Sequence, residues 1–419
     1  MPFRLTTRPG HPTFVELPWR EPLSDWALDC IVTPVRGIHR HVVKFIELDG
    51  AMYALKELQP KVAEREFRLL RELDQRSVPV VDAVGVAAGR ETRDGTPLDA
   101  ILITRHLDFS LPFRALFARA SLNELWNPLL DSLAELLVRI HLAGFFWGDC
   151  SLSNTLFRRD AGSLAATLVD AETGELHSEL SGGQRRHDLQ IAELNVAGEL
   201  LDLAEAASWG DAFDAGELAS DLLRRYHSLW DELTGTRLIA KADRYHIDSH
   251  VRRLNELGFD VDELQIEPLE EGFRVNVRTA VVEPGHHSRR LLQLTGLDVQ
   301  ENQARRLLND IRGYRAYLER TGTTPVSEAL GALRWMNDLF EPTVASIPPE
   351  LRGKLEPAEL FHQVLEHRWF LSEARGVEAK TSEAVEHYVE DVLRALPDEQ
   401  QVLLDEDLDL DLDLDDATS

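Results

Sequence analysis

The stretch HLAGFFWGDCSLSNTLF, His141–Phe157, decides how the rest of the chain is read. It opens as the end of an apolar helix and closes on a strand-like Thr155-Leu156-Phe157. Between these ends Asp149 and Asn154 stand five residues apart in a small, polar loop. Phosphoryl transfer needs few protein parts: a cation on the phosphates, oxygen ligands for Mg²⁺, and a carboxylate that orients the attacking hydroxyl. Asp149 suits the carboxylate role and Asn154 the metal role. A polar turn that happens to hold an Asp and an Asn is the competing reading, and only the surrounding residues separate the two.

Downstream, Asp170 lies 21 residues after Asp149, at the end of the apolar run in Leu168–Thr173, LVDAET. A carboxylate leaving a buried strand suits a Mg²⁺ ligand, because the strand is rigid while the side chain reaches a cleft. Glu172 is either a further metal ligand or a solvated turn carboxylate. Upstream, Met52–Leu58, MYALKEL, places Lys56 on the same strand face as Met52, Ala54 and Leu58. A lysine among apolar side chains needs a partner. The next helix, Val62–Leu73, offers Glu66, which shares a face with Val62, Leu69, Leu70 and Leu73. Glu64, with Arg68 at +4, sits nearer solvent. Each part alone is weak. Their order gives them joint meaning: Lys, Glu, Asp with Asn at +5, then a strand-terminal Asp.

In that order the residues resemble the protein-kinase-like fold. The similarity is greatest to its atypical bacterial members, the lipopolysaccharide (Kdo/WaaP) kinase-like group, with echoes of aminoglycoside phosphotransferases. WGDCSLSN resembles the catalytic loop, VDAE the metal-binding triplet, and His187-Asp188-Leu189 the later Asp-Leu of such proteins. The resemblance covers about residues 25–235. It implies that Lys56 holds the ATP phosphates braced by Glu66, that Asp149 orients an acceptor hydroxyl, and that Asn154 and Asp170 bind Mg²⁺. It also implies that Arg105-His106-Leu107 receives adenine through backbone hydrogen bonds. The region after Lys241 resembles a C-terminal module of unknown function that accompanies such domains.

The departures from the pattern carry information. The glycine-rich loop is reduced to Gly37 in PVRGIHRHVVKF, among Arg36, His39, Arg40 and His41. Either Arg36 and Arg40 replace backbone amides at the phosphates, or this is an ordinary basic turn. Trp147-Gly148 stand where a protein kinase has His-Arg, and Ser151 where Ser/Thr kinases place a lysine. Only 17 residues separate Asp170 from Asp188, little room for an activation loop. These points favour a small-molecule, glycan or lipid acceptor over a regulated kinase cascade, with protein acceptors still open. Cys150 has acidic neighbours and reads as packing rather than as a reactive thiol.

Across the 419 residues, strand-like segments come first: Cys30–Pro34, Val42–Glu47, Met52–Leu58, Val78–Val86 and Ala100–Thr104. From Asn123 the pattern turns helical, with Leu129, Leu133, Leu136, Leu137 and Ile140 at helical spacing. This order predicts an α+β, bilobal, protein-kinase-like body with a β-rich N-lobe and a helical C-lobe. A mostly helical C-terminal domain follows. Its elements are a helix at Arg244–Leu257, a hairpin of Leu264–Pro268 and Phe273–Glu283, and helices near Asn302–Thr321, Val326–Leu339, Glu356–Glu373 and Ser382–Leu396. The division is an N-terminal extension at 1–24, a kinase-like domain at 25–240, the C-terminal domain at 241–397 and an acidic disordered tail at 398–419. That tail holds ten acids and no Lys or Arg; without it the net charge of −28 falls to −18.

So acidic a chain argues against nucleic acid and anionic membranes as partners. Residues 241–320 are nearly neutral, with 13 Lys/Arg against 14 Asp/Glu. They suit an anionic substrate, nucleic acid, the acidic tail or plain solvated helix faces. His286-His287 lacks further ligand-spaced Cys or His, and His362 and His367 do not share a helix face, so neither pair predicts a metal site. Two cysteines, no signal-like N-terminus and no membrane-length apolar run lead to the expectation of a cytoplasmic protein. An ATP- and Mg²⁺-dependent phosphotransferase is the first reading of function. A pseudokinase scaffold, recruiting a protein partner through the C-terminal domain or tail, is the second. Nucleotidyl transfer (AMPylation) on the same fold ranks third.

Overall fold

The computed structural model describes residues 2–32, 41–117, 122–206, 214–234, 236–240, 260–269, 272–282, 286–321, 325–377, 379–396 and 398–399. Two compact units divide the chain. One is drawn from Met1–Phe157 and Ala166–His227; the other takes Arg158–Ala165 with Ser228–Gln401.

The first unit begins with six strands: β1 (Arg4–Thr7), β2 (Ile31–Val32), β3 (Val43–Leu48), β4 (Ala51–Leu58), β5 (Asp82–Ala88) and β6 (Ala100–Arg105). They form one antiparallel sheet in the order β1-β5-β6-β4-β3-β2. Asp49 and Gly50, at φ 53° and 75°, close the β3–β4 hairpin, the left-handed pair that an Asp-Gly turn supplies. Ile46, Tyr53, Leu55, Val84, Ile101 and Ile103 are buried together with Phe14, Trp19 and Leu23. The segment read as an N-terminal extension is therefore part of this sheet and its core. Its periodicity is too short and too broken by proline to announce a strand.

Helix α1 (Pro60–Gln75) follows β4, with proline in its first turn, where the missing N–H costs nothing. Ala63, Glu66, Phe67, Leu70 and Leu73 form its buried face, against β5 and β6. The helical part of this unit contains α2 (Phe113–Phe117), α3 (Leu122–Leu142), α4 (Gly182–Ala206) and α5 (Ala215–Thr234). Leu129, Leu133, Leu136, Leu137 and Ile140 are all buried, as their spacing predicts. Short strands β7 (Leu111–Pro112), β8 (Phe145–Phe146) and β11 (Glu175–Leu176) also belong to it, while β9 (Thr155–Asp160) and β10 (Ser163–Leu168) have residues in both units. They pair as β10-β9-β7 and β11-β8. An antiparallel N-terminal sheet followed by helices is the mixed, bilobal architecture that the element order predicted.

In the second unit β12 (Thr236–Ala240), β13 (Asp260–Leu269) and β14 (Gly272–Val282) form an antiparallel sheet ordered β12-β14-β13. The expected hairpin is there, with β12 as a third strand. Six helices follow among the described residues: α6 (His286–Thr295), α7 (Glu301–Thr321), α8 (Glu328–Trp335), α9 (Glu341–Ser346), α10 (Pro357–Arg375) and α11 (Thr381–Tyr388). Single π-helical turns occur at Met336–Phe340 and Val389–Leu393. Leu307, Ile311, Trp335, Phe340 and Phe361 fill one core; Leu355, Leu360, Val385, Tyr388 and Leu393 fill another. The Asp160 carboxylate accepts from the Asn302 and Gln303 amides at 3.2 and 2.7 Å, capping the first turn of α7. Arg158 pairs with Glu356 at 2.8 Å, and Arg159 with Glu399 at 2.6 Å. Asp398 and Glu399, read as the start of the acidic tail, are thus described, and Glu399 is buried. The tail beyond them and the predicted helix Arg244–Leu257 lie outside the described residues.

Candidate active site

Lys56 sits in the middle of the six-stranded sheet, opposite Val43 on β3 and Leu102 on β6. Its Nζ gathers three carboxylates: Asp170 at 2.5 Å, Glu66 at 3.4 Å and Glu172 at 3.4 Å. Glu66 is 1% exposed, so its partner is not optional. Burial opposes the charge on Lys56, but the three carboxylates outweigh it and hold the ammonium pKa above the ordinary lysine value. Burial and the neighbouring Asp170 push Glu66 up to about 8, against the pull of Lys56. Burial also works against ionised Asp170, yet the Lys56 ammonium keeps its pKa below the usual carboxylate range. The tight ion pair is therefore Lys56–Asp170. Glu172 is drawn into the cluster, and His41 joins it with Nε2 2.9 Å from the Glu172 carboxylate.

Asp170 is fixed by its backbone as well as by Lys56. β10 lies against the start of β5, with Val81 N–H donating to Leu168 O at 3.0 Å. Trp147 is fully buried, and its indole N–H donates to Asp170 O at 2.8 Å. Glu66 accepts the Ala171 amide at 3.3 Å. Arg65 donates to the carbonyls of Glu172 at 3.2 Å and Gly174 at 2.5 Å, tying α1 to the same segment.

The loop from Asp149 to Asn154 lies beside this cluster, because Val169 N–H donates to Asn154 O at 3.0 Å. The Asn154 amide group donates to the Asp149 carboxylate and carbonyl, both at 3.1 Å. That turns the Asn154 side-chain oxygen away from Asp149. Asn195 on α4 donates to the other Asp149 oxygen at 3.2 Å and to Cys150 O. Glu199, one turn on, accepts the amides of Leu152 and Ser153 at 2.6 and 3.0 Å. Ser151 Oγ accepts the Asn154 backbone amide at 3.1 Å and so shapes the loop. Cys150 is fully buried, and burial with nearby acids pushes its thiol well above the ordinary value. It packs.

Beneath the loop, the buried Asp188 carboxylate accepts the Trp147 and Gly148 amides at 2.8 and 2.7 Å. His141 Nε2 meets it at 3.1 Å, and Nδ1 meets the Tyr226 hydroxyl at 2.7 Å. Burial lowers the His141 pKa, partly countered by Asp188. A neutral ring with its proton on Nε2 then satisfies both neighbours. Asn195, Glu199, Arg65, His141 and Tyr226 escape a reading based on linear motifs. They enter from other helices, and only the Asp188 segment carries a recognisable sequence signal.

Arg105 ends β6, and the His106 amide donates to Met52 O at 2.8 Å. The His106 ring is edge-on to Phe45 at 5.7 Å, and burial lowers its pKa to about 4. Leu107 accepts the Ser110 amide at 3.3 Å. Arg36, Gly37 and Arg40 lie outside the described residues.

A hard, oxygen-rich set of Asp170, Glu172 and the Asn154 side-chain oxygen fits Mg²⁺, which takes carboxylate, carbonyl, phosphate and water oxygens. A strand lysine with a helix glutamate, above an Asp–Asn loop and a strand-terminal Asp, marks the kinase-like phosphotransferase class. Residues 44–205 match the lipopolysaccharide kinase (Kdo/WaaP) family, and residues 228–393 match a domain of unknown function, DUF4032. No curated protein matches the chain. Among solved structures, WaaP in complex with acyl carrier protein is similar at 18% identity and a TM-score of 0.37, covering 61% of this chain and 99% of that one. Among the described residues no helix is long and apolar enough to cross a membrane.

Proposed function

We propose that the protein is an ATP- and Mg²⁺-dependent kinase that moves the γ-phosphoryl group to a hydroxyl of a small-molecule, glycan, lipid or protein acceptor. The convergence of Glu66, Asp170 and Glu172 on Lys56, beside the Asp149–Asn154 pair, carries this reading. Lys56 supplies the cation for the ATP phosphates, and Glu66 sets its position. The acceptor oxygen attacks the γ-phosphorus as the bond to the β,γ-bridging oxygen breaks. ADP leaves, and Asp149 takes the hydroxyl proton. Bound Mg²⁺ neutralises phosphate charge; Asn154 and Asp170 would hold it. The short segment from Asp170 to α4, tied down by Arg65 and by the β8–β11 pair, favours a constitutively formed site over one assembled by phosphorylation.

The test uses ATP labelled separately on the γ- and α-phosphate, with Mg²⁺ and candidate acceptors, beside Asp149→Ala and Asp170→Ala. Transfer of γ-label that falls by about 10²–10⁴ in Asp149→Ala supports the kinase. Incorporation of α-label alone means nucleotidyl transfer. ATP binding without transfer to any acceptor or water means a pseudokinase, and absence of ATP binding removes the nucleotide reading altogether.

A further inference from the structure

The second unit holds a cluster that the sequence scatters. His367 lies on α10, His387 on α11, and Asp391 in the π-helical turn Val389–Leu393 that follows. One donor atom from each lies within 4.8 Å of the others. His387 Nδ1 is 3.7 Å from the Asp391 carboxylate, its i+4 neighbour. The two imidazoles are 6.4 Å apart between centroids, tilted by 34°.

A further observation points to a ligand here. His367 Nε2 is buried and has no hydrogen-bond partner among the described residues. A buried imidazole nitrogen without a partner carries a desolvation cost that a metal bond removes. The carboxylate comes from a π-helical turn, a local geometry that recurs at functional sites.

We infer that His367, His387 and Asp391 form a binding site for a first-row transition dication, Zn²⁺ foremost, in the C-terminal domain. Two imidazoles and one carboxylate select borderline ions of this kind over Mg²⁺ or Ca²⁺. Tetrahedral zinc with bonds of about 2.0–2.1 Å sets its ligand atoms about 3.3 Å apart. From the 4.8 Å bound, the cluster thus needs to close by at most about 1.5 Å. His387 and Asp391 have side chains 44% and 62% exposed, free to make that move. Three protein ligands leave a fourth position for water or a substrate atom, unlike a closed structural site. Arg375 lies 3.4 Å from His387 Nε2. Its charge is already offset by Glu383 at 2.6 Å. Loading requires the His387 proton to sit on Nε2, which breaks only that long contact.

The test uses the full chain, stripped with a chelator and titrated with Zn²⁺ alone and Mg²⁺ alone against a chromophoric zinc indicator. The wild type should take up one Zn²⁺ per chain at a site that Mg²⁺ does not fill. His367→Ala and His387→Ala should each weaken that site at least tenfold. Substituted Co²⁺ should give a visible spectrum of tetrahedral or five-coordinate type, lost in both variants. His387 is exposed enough for its alanine variant to stay folded, which circular dichroism checks. Zinc uptake that is equal in wild type and both variants, or that is absent from the wild type, overturns the assignment.

Discussion

Asp188→Asn tests whether the catalytic loop is held from below by a buried carboxylate. Asp188 is 0% exposed and accepts from three donors: the Trp147 amide, the Gly148 amide and His141 Nε2. Asparagine keeps the shape but has a single accepting oxygen. If that oxygen serves Trp147, the new amide group faces the Gly148 N–H, donor against donor. If the amide instead donates to His141, whose proton then shifts to Nδ1 and the Tyr226 oxygen, one backbone amide still lacks its acceptor. Every arrangement loses one charge-assisted hydrogen bond of about 1.5–3 kcal/mol and leaves a donor unsatisfied. The expected loss of stability is roughly 2–4 kcal/mol, or a fall in Tm of about 5–15 °C. Urea unfolding at pH 7.5 reads the first number, and a thermal scan the second. Because Trp147 and Gly148 lead directly into Asp149, kcat should fall at least about tenfold while the ATP KM changes less. A variant with the wild-type urea midpoint would refute the argument, since the carboxylate would then not be what orders the loop.

Glu301 accepts from the His287 ring, the His287 amide and the Ser288 amide. Burial pushes its pKa up, but these donors hold it down at about 2. A pKa depressed in the fold stabilises above the ordinary carboxylate value and is lost as pH falls toward 2. Glu301→Gln should therefore cost about 1–3 kcal/mol at pH 7 and much less at pH 3, in urea titrations at both. A gap independent of pH contradicts this. Gly144 has φ +79°, and a Cβ there would lie 2.3 Å from His177 O. Gly144→Ala should lose at least about 2 kcal/mol; an unchanged thermal midpoint would show that the β8–β11 corner relaxes. Arg65→Ala frees the segment after Asp170 without touching the cluster around Lys56. It should lower kcat by about 10- to 100-fold with little loss of fold, and an unaltered kcat removes Arg65 from the positioning set.

Much of the candidate site's geometry was legible because its residues follow one another in a set chain order. Lys56 could be placed by strand parity and Glu66 by helix phase, and the two meet at 3.4 Å as those faces require. Asp149 and Asn154 are joined by a hydrogen bond within one loop, which five residues of spacing allow. What stayed hidden depends on contacts between distant elements. Asn195 and Glu199 lie on a helix of low amphipathicity, where nothing marks one polar residue above another. Trp147 looked like a departure from the catalytic-loop pattern. In space it is the strut under Asp170, since an indole N–H can reach a carbonyl that a shorter side chain could not. The segment before residue 25 was hidden because β1 draws its order from pairing with β5, not from its own four residues.

Protein kinases commonly couple the loop to a phosphorylated segment through an arginine before the catalytic Asp. Here Gly148 occupies that place, and its amide is held by Asp188 from α4. The order of the loop is thus tied to the same buried residues that hold α3, α4 and α5 together: Asp188, His141 and Tyr226. Those bonds form when the unit folds and carry no exposed switch. Loop geometry and fold stability should rise and fall together across variants, whereas a phosphorylation-controlled site would let activity change at constant stability. Control of the proposed kinase would then act on the charge cluster around Lys56. There one ammonium already faces three carboxylates, and any added cation or anion shifts the balance directly.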